Sequence, residues 1–313
     1  MILEENERKI EELESKLISL DPTSNEFKDV SLSLHKLKEE TYSNLTAWDR
    51  VTIARSAKRI KAKALIDKLI TDFYELHGDQ YYADDQSIIA GIGYLGDIPV
   101  TVIGQAKGTN LNESIKRNFG MTSPEGFRKA LRLAHQAEKF NRPIITIVDT
   151  SGAYPGRGAE ERGQARAIAR NLMEFSTLKV PIISIVLSEG GSGGALALTV
   201  SDYIYMFENA VYSVLSPEGF ASILFKDTIK VEDAAQMMKM TSHDLHEYGI
   251  VDEIIKEPAG GIRFISDEFI KELKSKLIAK INELQKMKKE ELLENRYQKY
   301  RKISSVSYTH LRA

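Results

Sequence analysis

Pro143-Ile144-Ile145-Thr146-Ile147-Val148 and Pro181-Ile182-Ile183-Ser184-Ile185-Val186 are near copies of one another. Each is an almost unbroken apolar run behind a proline, the pattern of a strand buried on both faces of a parallel sheet. Each run leads into a glycine-rich loop: Ser151-Gly152-Ala153-Tyr154-Pro155-Gly156 after the first, Glu189-Gly190-Gly191-Ser192-Gly193-Gly194 after the second. A helix is expected to follow each loop. A strand–loop–helix unit repeated in this way predicts stacked turns of one supersecondary structure, hence an α/β fold.

The flanking sequence extends that reading. Residues 88–95 and 98–103 are strand-like and joined by Gly96-Asp97, a two-residue hairpin turn. A helix is predicted from Pro124 to about residue 140, with Phe127, Leu131 and Ala134 on one face. Residues 202–207 and 211–214 supply further strands, and Ser216-Pro217-Glu218-Gly219 reads as a tight turn. Residues 48–76 read as a basic helical stretch. Helical periodicity also marks 226–240 and 267–300. Leu273, Leu277, Ile281 and Leu284 form the apolar stripe of the last helix, whose charged remainder reads as a solvated face.

At the N-terminus Leu3, Ile10 and Leu17 repeat every seven residues, as do Leu13 and Leu20 three positions on. Asp21-Pro22-Thr23-Ser24 then breaks the helix and caps a second one carrying Phe27, Val30, Leu34 and Leu37. This helical hairpin either packs on its own body or serves as a dimer arm. The expected organisation is an arm over 1–45, a core over 46–258, a helical extension over 259–303 and an unpatterned tail over 304–313.

Composition narrows the function. The chain has 313 residues, of which 42% are hydrophobic, enough for a sizeable core. Its 43 basic and 45 acidic residues nearly cancel, which argues against a nucleic-acid-binding face. Cysteine is absent and the six histidines are scattered, so neither a disulfide nor a metal site is expected on this chain. No apolar stretch is long enough to span a bilayer, and the acidic start is unlike a signal peptide; a cytoplasmic chain with no membrane association is expected.

A helix that opens with several glycines offers bare backbone N–H groups at the positive end of its dipole. The run Gly190-Gly191-Ser192-Gly193-Gly194 suits an anion, either a phosphate or a developing oxyanion. The Gly-Lys-Ser/Thr ending of a P-loop is missing, because Gly194 is followed by Ala195-Leu196, and the dinucleotide fingerprint is not met. An oxyanion hole is the favoured reading over glycines that merely permit close packing. Ser192 would need a base to be a nucleophile, and His135, the only histidine near the core repeat in sequence, lies mid-helix; Ser192 therefore reads as a small packing residue. Asp149 reads as a turn cap more readily than as an acid or base. Glu160 and Glu161 read as helix-start acids. Met238-Lys239-Met240 resembles the biotin-attachment tripeptide, but it follows a helical segment instead of sitting on a hairpin tip, so Lys239 reads as a surface lysine.

Several long motifs carry a resemblance: Asn118-Phe119-Gly120-Met121, the segment from Pro124-Glu125-Gly126-Phe127 to Leu133, Gly152-Ala153-Tyr154-Pro155-Gly156, Gly158-Ala159-Glu160-Glu161-Arg162-Gly163-Gln164, Glu189-Gly190-Gly191-Ser192-Gly193-Gly194-Ala195, and Tyr212-Ser213-Val214-Leu215-Ser216-Pro217-Glu218-Gly219. From about residue 13 to 300 the chain resembles the carboxyltransferase alpha subunits of bacterial acetyl-CoA carboxylase. The resemblance implies a crotonase/ClpP-like β-β-α superhelix with an N-terminal helical arm and C-terminal helices. It implies transfer of a carboxyl group from carboxybiotin, presented by a separate biotin carboxyl carrier protein, to acetyl-CoA, giving malonyl-CoA for fatty-acid synthesis. It also implies a zinc-bearing beta subunit in an α2β2 heterotetramer, and biotin carboxylase at the level of the whole complex. Carried over by motif, Gly193 and Gly194 would be the catalytic N–H donors to the biotin ureido oxygen. Gly190 and Gly191 would shape the pocket, and Gly152 with Ala153 would line its other wall. If biotin itself takes the proton from acetyl-CoA, no side-chain acid or base is needed, and Asp149, Glu189 and His135 would be dispensable for chemistry.

The chain departs from the family pattern at Ser188, Ser151, Gln105-Ala106, Arg55-Ser56-Ala57-Lys58-Arg59-Ile60 and Pro258-Ala259-Gly260-Gly261-Ile262-Arg263. None of these positions is expected to touch the Gly193-Gly194 pair. The competing readings are a stand-alone crotonase-fold acyl-CoA hydratase or hydrolase, a serine protease of the same fold, and a non-catalytic scaffold subunit.

Overall fold

The computed structural model describes residues 2–227, 229–258, 261–263 and 266–303. The 304–313 tail and the Ala259-Gly260 part of the 258–263 motif lie outside them. The chain opens with a helical hairpin, α1 (Ile2–Ser19) and α2 (Asn25–Tyr42). Ser24 caps α2 by accepting from the Phe27 N–H, as its position predicts. Leu3, Ile10, Val30 and Leu34 are buried, and Arg263 ties the hairpin to the body through Glu7 and Glu11, at 3.0 and 3.1 Å. The two helices pack chiefly on each other, and these ion pairs join the hairpin to the body.

The stretch after it is not one helix. It forms α3 (Ala47–Arg55), α4 (Ala62–Leu69) and then a strand, β1 (Thr71–Glu75). The hairpin β2 (Ile88–Leu95) and β3 (Ile98–Gln105) turns at Gly96, whose φ of +63° is readily adopted by glycine. Next come α5 (Leu111–Lys116), α6 (Pro124–Lys139), β4 (Ile144–Thr150), α7 (Arg157–Glu161), α8 (Gln164–Thr177), β5 (Ile182–Gly191) and α9 (Ser192–Thr199). Glu160 and Glu161 thus end a short helix instead of starting one. Two strands, β6 (Tyr203–Phe207) and β7 (Val211–Ser213), precede α10 (Pro217–Leu224), α11 (Val231–Met238) and α12 (Ser242–Glu247). A last short strand, β8 (Glu253–Ile255), leads to α13 (Asp267–Gln285) and α14 (Lys289–Ile303).

Seven strands lie in the order β1-β2-β3-β4-β5-β6-β8, and β7 pairs with the far end of β5. The first three are antiparallel neighbours and the pairs from β3 to β8 are parallel, so the two near-copy runs lie side by side in register, Ile144 beside Ile182 and Val148 beside Val186. Period two divides their side chains between two core layers. Ile145, Ile147, Ile183 and Ile185 meet α4 and α13; Ile144, Val148 and Ile182 meet α6, α8 and α9. The polar residue in each run has a partner: Thr146 Oγ1 donates to the Leu198 carbonyl at 2.7 Å and lies 2.8 Å from Ser184 Oγ.

Candidate functional site

The two glycine-rich loops meet at the same end of β4 and β5. A Cβ added at Gly191 would lie 2.1 Å from the Ser151 carbonyl oxygen, and one added at Gly194 would lie 2.6 Å from the Ala153 nitrogen and the Gly152 carbonyl carbon. Real side chains do not approach backbone that closely, so these two glycines let the second loop settle on the first. Gly190 has a different neighbour: a Cβ there would lie 2.7 Å from the Tyr212 ring. At Gly193 an added Cβ would meet only Ile168, at 3.4 Å.

Helix α9 begins without a side-chain cap, so the N–H groups of its first turn, those of Gly193 and Gly194 included, have no acceptor inside the helix. Gly193 and Ser192 border a cavity of about 370 Å³ whose wall is otherwise mainly apolar, with Leu196, Tyr212 and Val214 among its residues. Gly194 is buried behind it. On the facing loop the Gly152 N–H is already bonded, to Thr150 Oγ1 at 3.1 Å, and the Tyr154 N–H donates to the Thr122 carbonyl. Among the described residues the Ala153 N–H between them has no acceptor.

Ser192 is exposed with φ of +52°, a left-handed conformation that costs a non-glycine residue about 1–2 kcal/mol. It is not the packing residue its size suggests. Its hydroxyl has no hydrogen-bond partner among the described residues, and His135 lies elsewhere, with Nε2 3.2 Å from Glu174 Oε2. Among the described residues no base is in place for a serine nucleophile.

Beneath the second loop runs a chain of charges. Glu189, the residue before Gly190, accepts from Lys107 at 2.5 Å and from Arg55 Nε at 2.8 Å; Arg55 also donates to Glu218 at 2.5 Å. Lys107 Nζ lies 3.1 Å from Asp149 Oδ1. Asp149 is fully buried and neither of its oxygens has a hydrogen bond of good geometry, so it does not cap a turn; Lys107 is its counter-ion. Burial alone would raise the Glu189 carboxyl, but Lys107 and Arg55 outweigh it and hold the group below the ordinary carboxylate range. Burial would likewise lower the Lys107 ammonium, which Asp149 and Glu189 instead hold above its ordinary value.

Besides Arg55, which holds Glu189, other family departures lie at or beside the glycine loop. Gln105 Nε2 donates to the Gly194 carbonyl at 2.8 Å, Ser151 presents the carbonyl against Gly191, and Ser188 Oγ accepts from Arg59 at 3.0 Å just before the loop. Tyr212 bridges the end of β5 and the end of α9, its ring beside Gly190 and its hydroxyl 2.7 Å from Thr199 Oγ1; burial pushes that phenol up to about 12. The roles of Lys107, Arg55 and Gln105 carry no signal in the sequence, because their partners are 82, 134 and 89 positions away and no spacing marks such pairs. Lys239, as expected, is an exposed residue ending α11 and not a hairpin tip.

Solved structures share this architecture. A transcarboxylase 12S chain, solved with methylmalonyl-coenzyme A and methylmalonic acid bound, superposes with a TM-score of 0.58 at 21% identity over 73% of this chain and 44% of its own. A chain of a Pseudomonas malonate decarboxylase hetero-tetramer in complex with coenzyme A gives 0.60 at 16% identity, over 74% of this chain and 90% of its own. The likeness to both is one of fold, the crotonase fold. The profile of the acetyl co-enzyme A carboxylase carboxyltransferase-like family matches residues 2–304. The acetyl-coenzyme A carboxylase carboxyl transferase subunit alpha of Bacillus cytotoxicus is 52% identical over 286 residues, 91% of this chain and 88% of its own. That of Clostridium botulinum (strain Eklund 17B / Type B) is 55% identical over 259 residues, 83% of this chain and 94% of its own. The chain belongs to the acetyl-CoA carboxylase carboxyltransferase alpha-subunit family. Among the described residues, no helix is long and apolar enough to cross a membrane and no cluster of His, Asp or Glu could hold a metal ion.

Proposed function

We propose that this chain is the biotin-facing half of a carboxyltransferase that makes malonyl-CoA from acetyl-CoA in the cytoplasm. It would act in an α2β2 assembly whose beta subunit carries the zinc and most of the acetyl-CoA site, served by a biotin carboxyl carrier protein and, in the whole complex, biotin carboxylase. The observation that carries the reading is the uncapped first turn of α9 beside a largely apolar cavity. That combination fits a ring system with an apolar body and one strong acceptor oxygen, which describes the ureido ring of biotin. Carboxybiotin supplies the carboxyl group and, as it gives it up, an oxygen on which negative charge gathers.

The part of this chain is electrostatic. The N–H groups of Gly193 and Gly194 are fixed by the helix before the reaction begins and need no reorganisation to meet that charge; one such donor is worth about 3–4 kcal/mol of barrier. The glycine side of the loop admits the ring, Gly190 and Gly191 hold the turn, and Gly152 with Ala153 closes the other wall. Lys107, Gln105 and Tyr212 keep the loop in place. The absence of a base bonded to Ser192 favours this reading over a hydrolase acting alone.

Co-expression with a zinc-ribbon beta subunit tests it. The purified pair is expected to catalyse malonyl-CoA-dependent carboxylation of biotin, and the lone chain is not. Turnover by the lone chain, or none by an assembled pair, would overturn the reading.

A further inference from the structure

A second cavity, of about 420 Å³, opens between the start of α4 and the segment that runs from Lys107 through α5 to Arg117. It is separate from the one beside α9 and is walled mainly by cations. The acids on its border are already engaged: Asp67 with Lys63 at 2.8 Å, and Glu113 with the Thr109 N–H and hydroxyl at 2.9 and 2.6 Å. Most of the cations are engaged too, Arg59 with Glu257 at 2.5 Å and Arg263 with Glu7 and Glu11. Two are not. Among the described residues neither has an ion-pair contact: Lys61 hydrogen-bonds only to the Ser56 carbonyl, at 3.3 Å, and Arg117 only to the Gln86 carbonyl, at 2.7 Å, although Glu113, one turn back, acts on Arg117 from a distance.

Lys61 is half-buried, and it stands at the N-cap of α4 with no side-chain cap hydrogen bond, so the first-turn N–H groups of that helix open beside it. Burial holds its ammonium below the ordinary value; of the charges nearby, Asp149 and Glu189 act in its favour and Lys107 and Arg59 against it. A cation held in this way is costly unless a further anion arrives. An ammonium, a planar guanidinium and free helix N–H groups around one pocket are the donor set that phosphoryl oxygens require.

We propose that this cavity binds phosphoryl groups, a pyrophosphate or a phosphate monoester, between Lys61, Arg117 and the start of α4. The group could arrive on the nucleotide tail of a coenzyme A thioester or on a free nucleotide. Both sources share the chemistry, and the site does not depend on the carboxyltransfer reading.

Calorimetric titration of the full chain with inorganic pyrophosphate tests the proposal. Saturable one-to-one binding is expected, weakened at least tenfold by Lys61→Gln with Arg117→Gln and unchanged by Lys9→Gln with Lys68→Gln, which removes the same charge elsewhere. If the cavity variant melts early, Arg117→Gln alone, at a side chain tied to one carbonyl, is expected to weaken binding about threefold. Displacement of pyrophosphate by coenzyme A and by 3′,5′-ADP would assign the site to a thioester tail. Displacement by ADP but not by coenzyme A would assign it to a free nucleotide, and both results support the proposal. No saturable binding, or equal weakening by the two double variants, would overturn it.

Discussion

The loops after β4 and β5 follow near-identical strands and do different things. The first has N–H groups that are already bonded: Thr150 Oγ1 takes the Gly152 N–H, the Thr122 carbonyl takes the Tyr154 N–H, and the chain then passes through α7 before the longer helix α8. The second runs straight into α9 and leaves its first-turn N–H groups without helical partners. The glycines differ in the same sense. A Cβ at Gly152 would meet nothing within 4 Å, whereas Cβ atoms at Gly191 and Gly194 would strike the backbone of the first loop. A repeat in sequence is therefore a repeat of scaffold. One copy is the floor on which the other is set.

Lys107 joins the two, since Asp149 is the last residue but one of β4 and Glu189 opens the second loop. Removing it is the largest way to disturb the comparison. Lys107→Met leaves Asp149 buried without its counter-ion and is expected to cost about 3–5 kcal/mol, read as the shift in urea midpoint at constant slope. The Glu189 partner gives the same contact a pH signature. Its folded pKa is depressed, so its contribution is present above the unfolded value of about 4.3 and is lost as pH falls through the folded one. The stability gap between wild type and Glu189→Gln is expected to narrow below about pH 4; a gap that stays constant would mean that the ion pair contributes nothing.

The glycines sharpen it at smaller scale. Gly194→Ala drives a methyl into the first loop's backbone and is expected to cost about 1–3 kcal/mol. Gly152→Ala meets no atom but must adopt φ of +153°, so the expected loss is nearer 1 kcal/mol. Equal losses at the two sites would break the proposed floor-and-tenant relation. Ser192→Gly, which relieves the φ of +52°, is expected to raise stability by up to about 1 kcal/mol with activity retained, whereas a serine nucleophile would lose it.

The sequence made the centre of this fold legible and its periphery less so. Residues 143–148 and 181–186 announced buried parallel strands because nearly every position is apolar. Thr71–Glu75 did not, since an edge strand with mostly solvent-facing residues has no apolar run to display, and three-residue β8 is too short for any period. Ser216-Pro217 looked like a turn and is the cap and first residue of α10, two roles with the same local chemistry. The final helical pattern hid a break after Gln285, where neither glycine nor proline marks the stop. Arg296, read as part of a solvated face, is buried and clamps Asp202 at 2.8 Å together with the carbonyls of Phe175, Leu178 and Val180. Of the candidate site, the glycines were visible because backbone chemistry is written locally; the charges under them were not.

Gly193 gives the most direct test, because it borders the cavity and its substitution meets only Ile168. In the assembled pair with a beta subunit, Gly193→Val is expected to lower malonyl-CoA-dependent carboxylation of biotin by about 100-fold or more, with assembly size and melting temperature close to wild type. Full turnover in that variant would contradict the assignment of the α9 amides to the reacting oxygen.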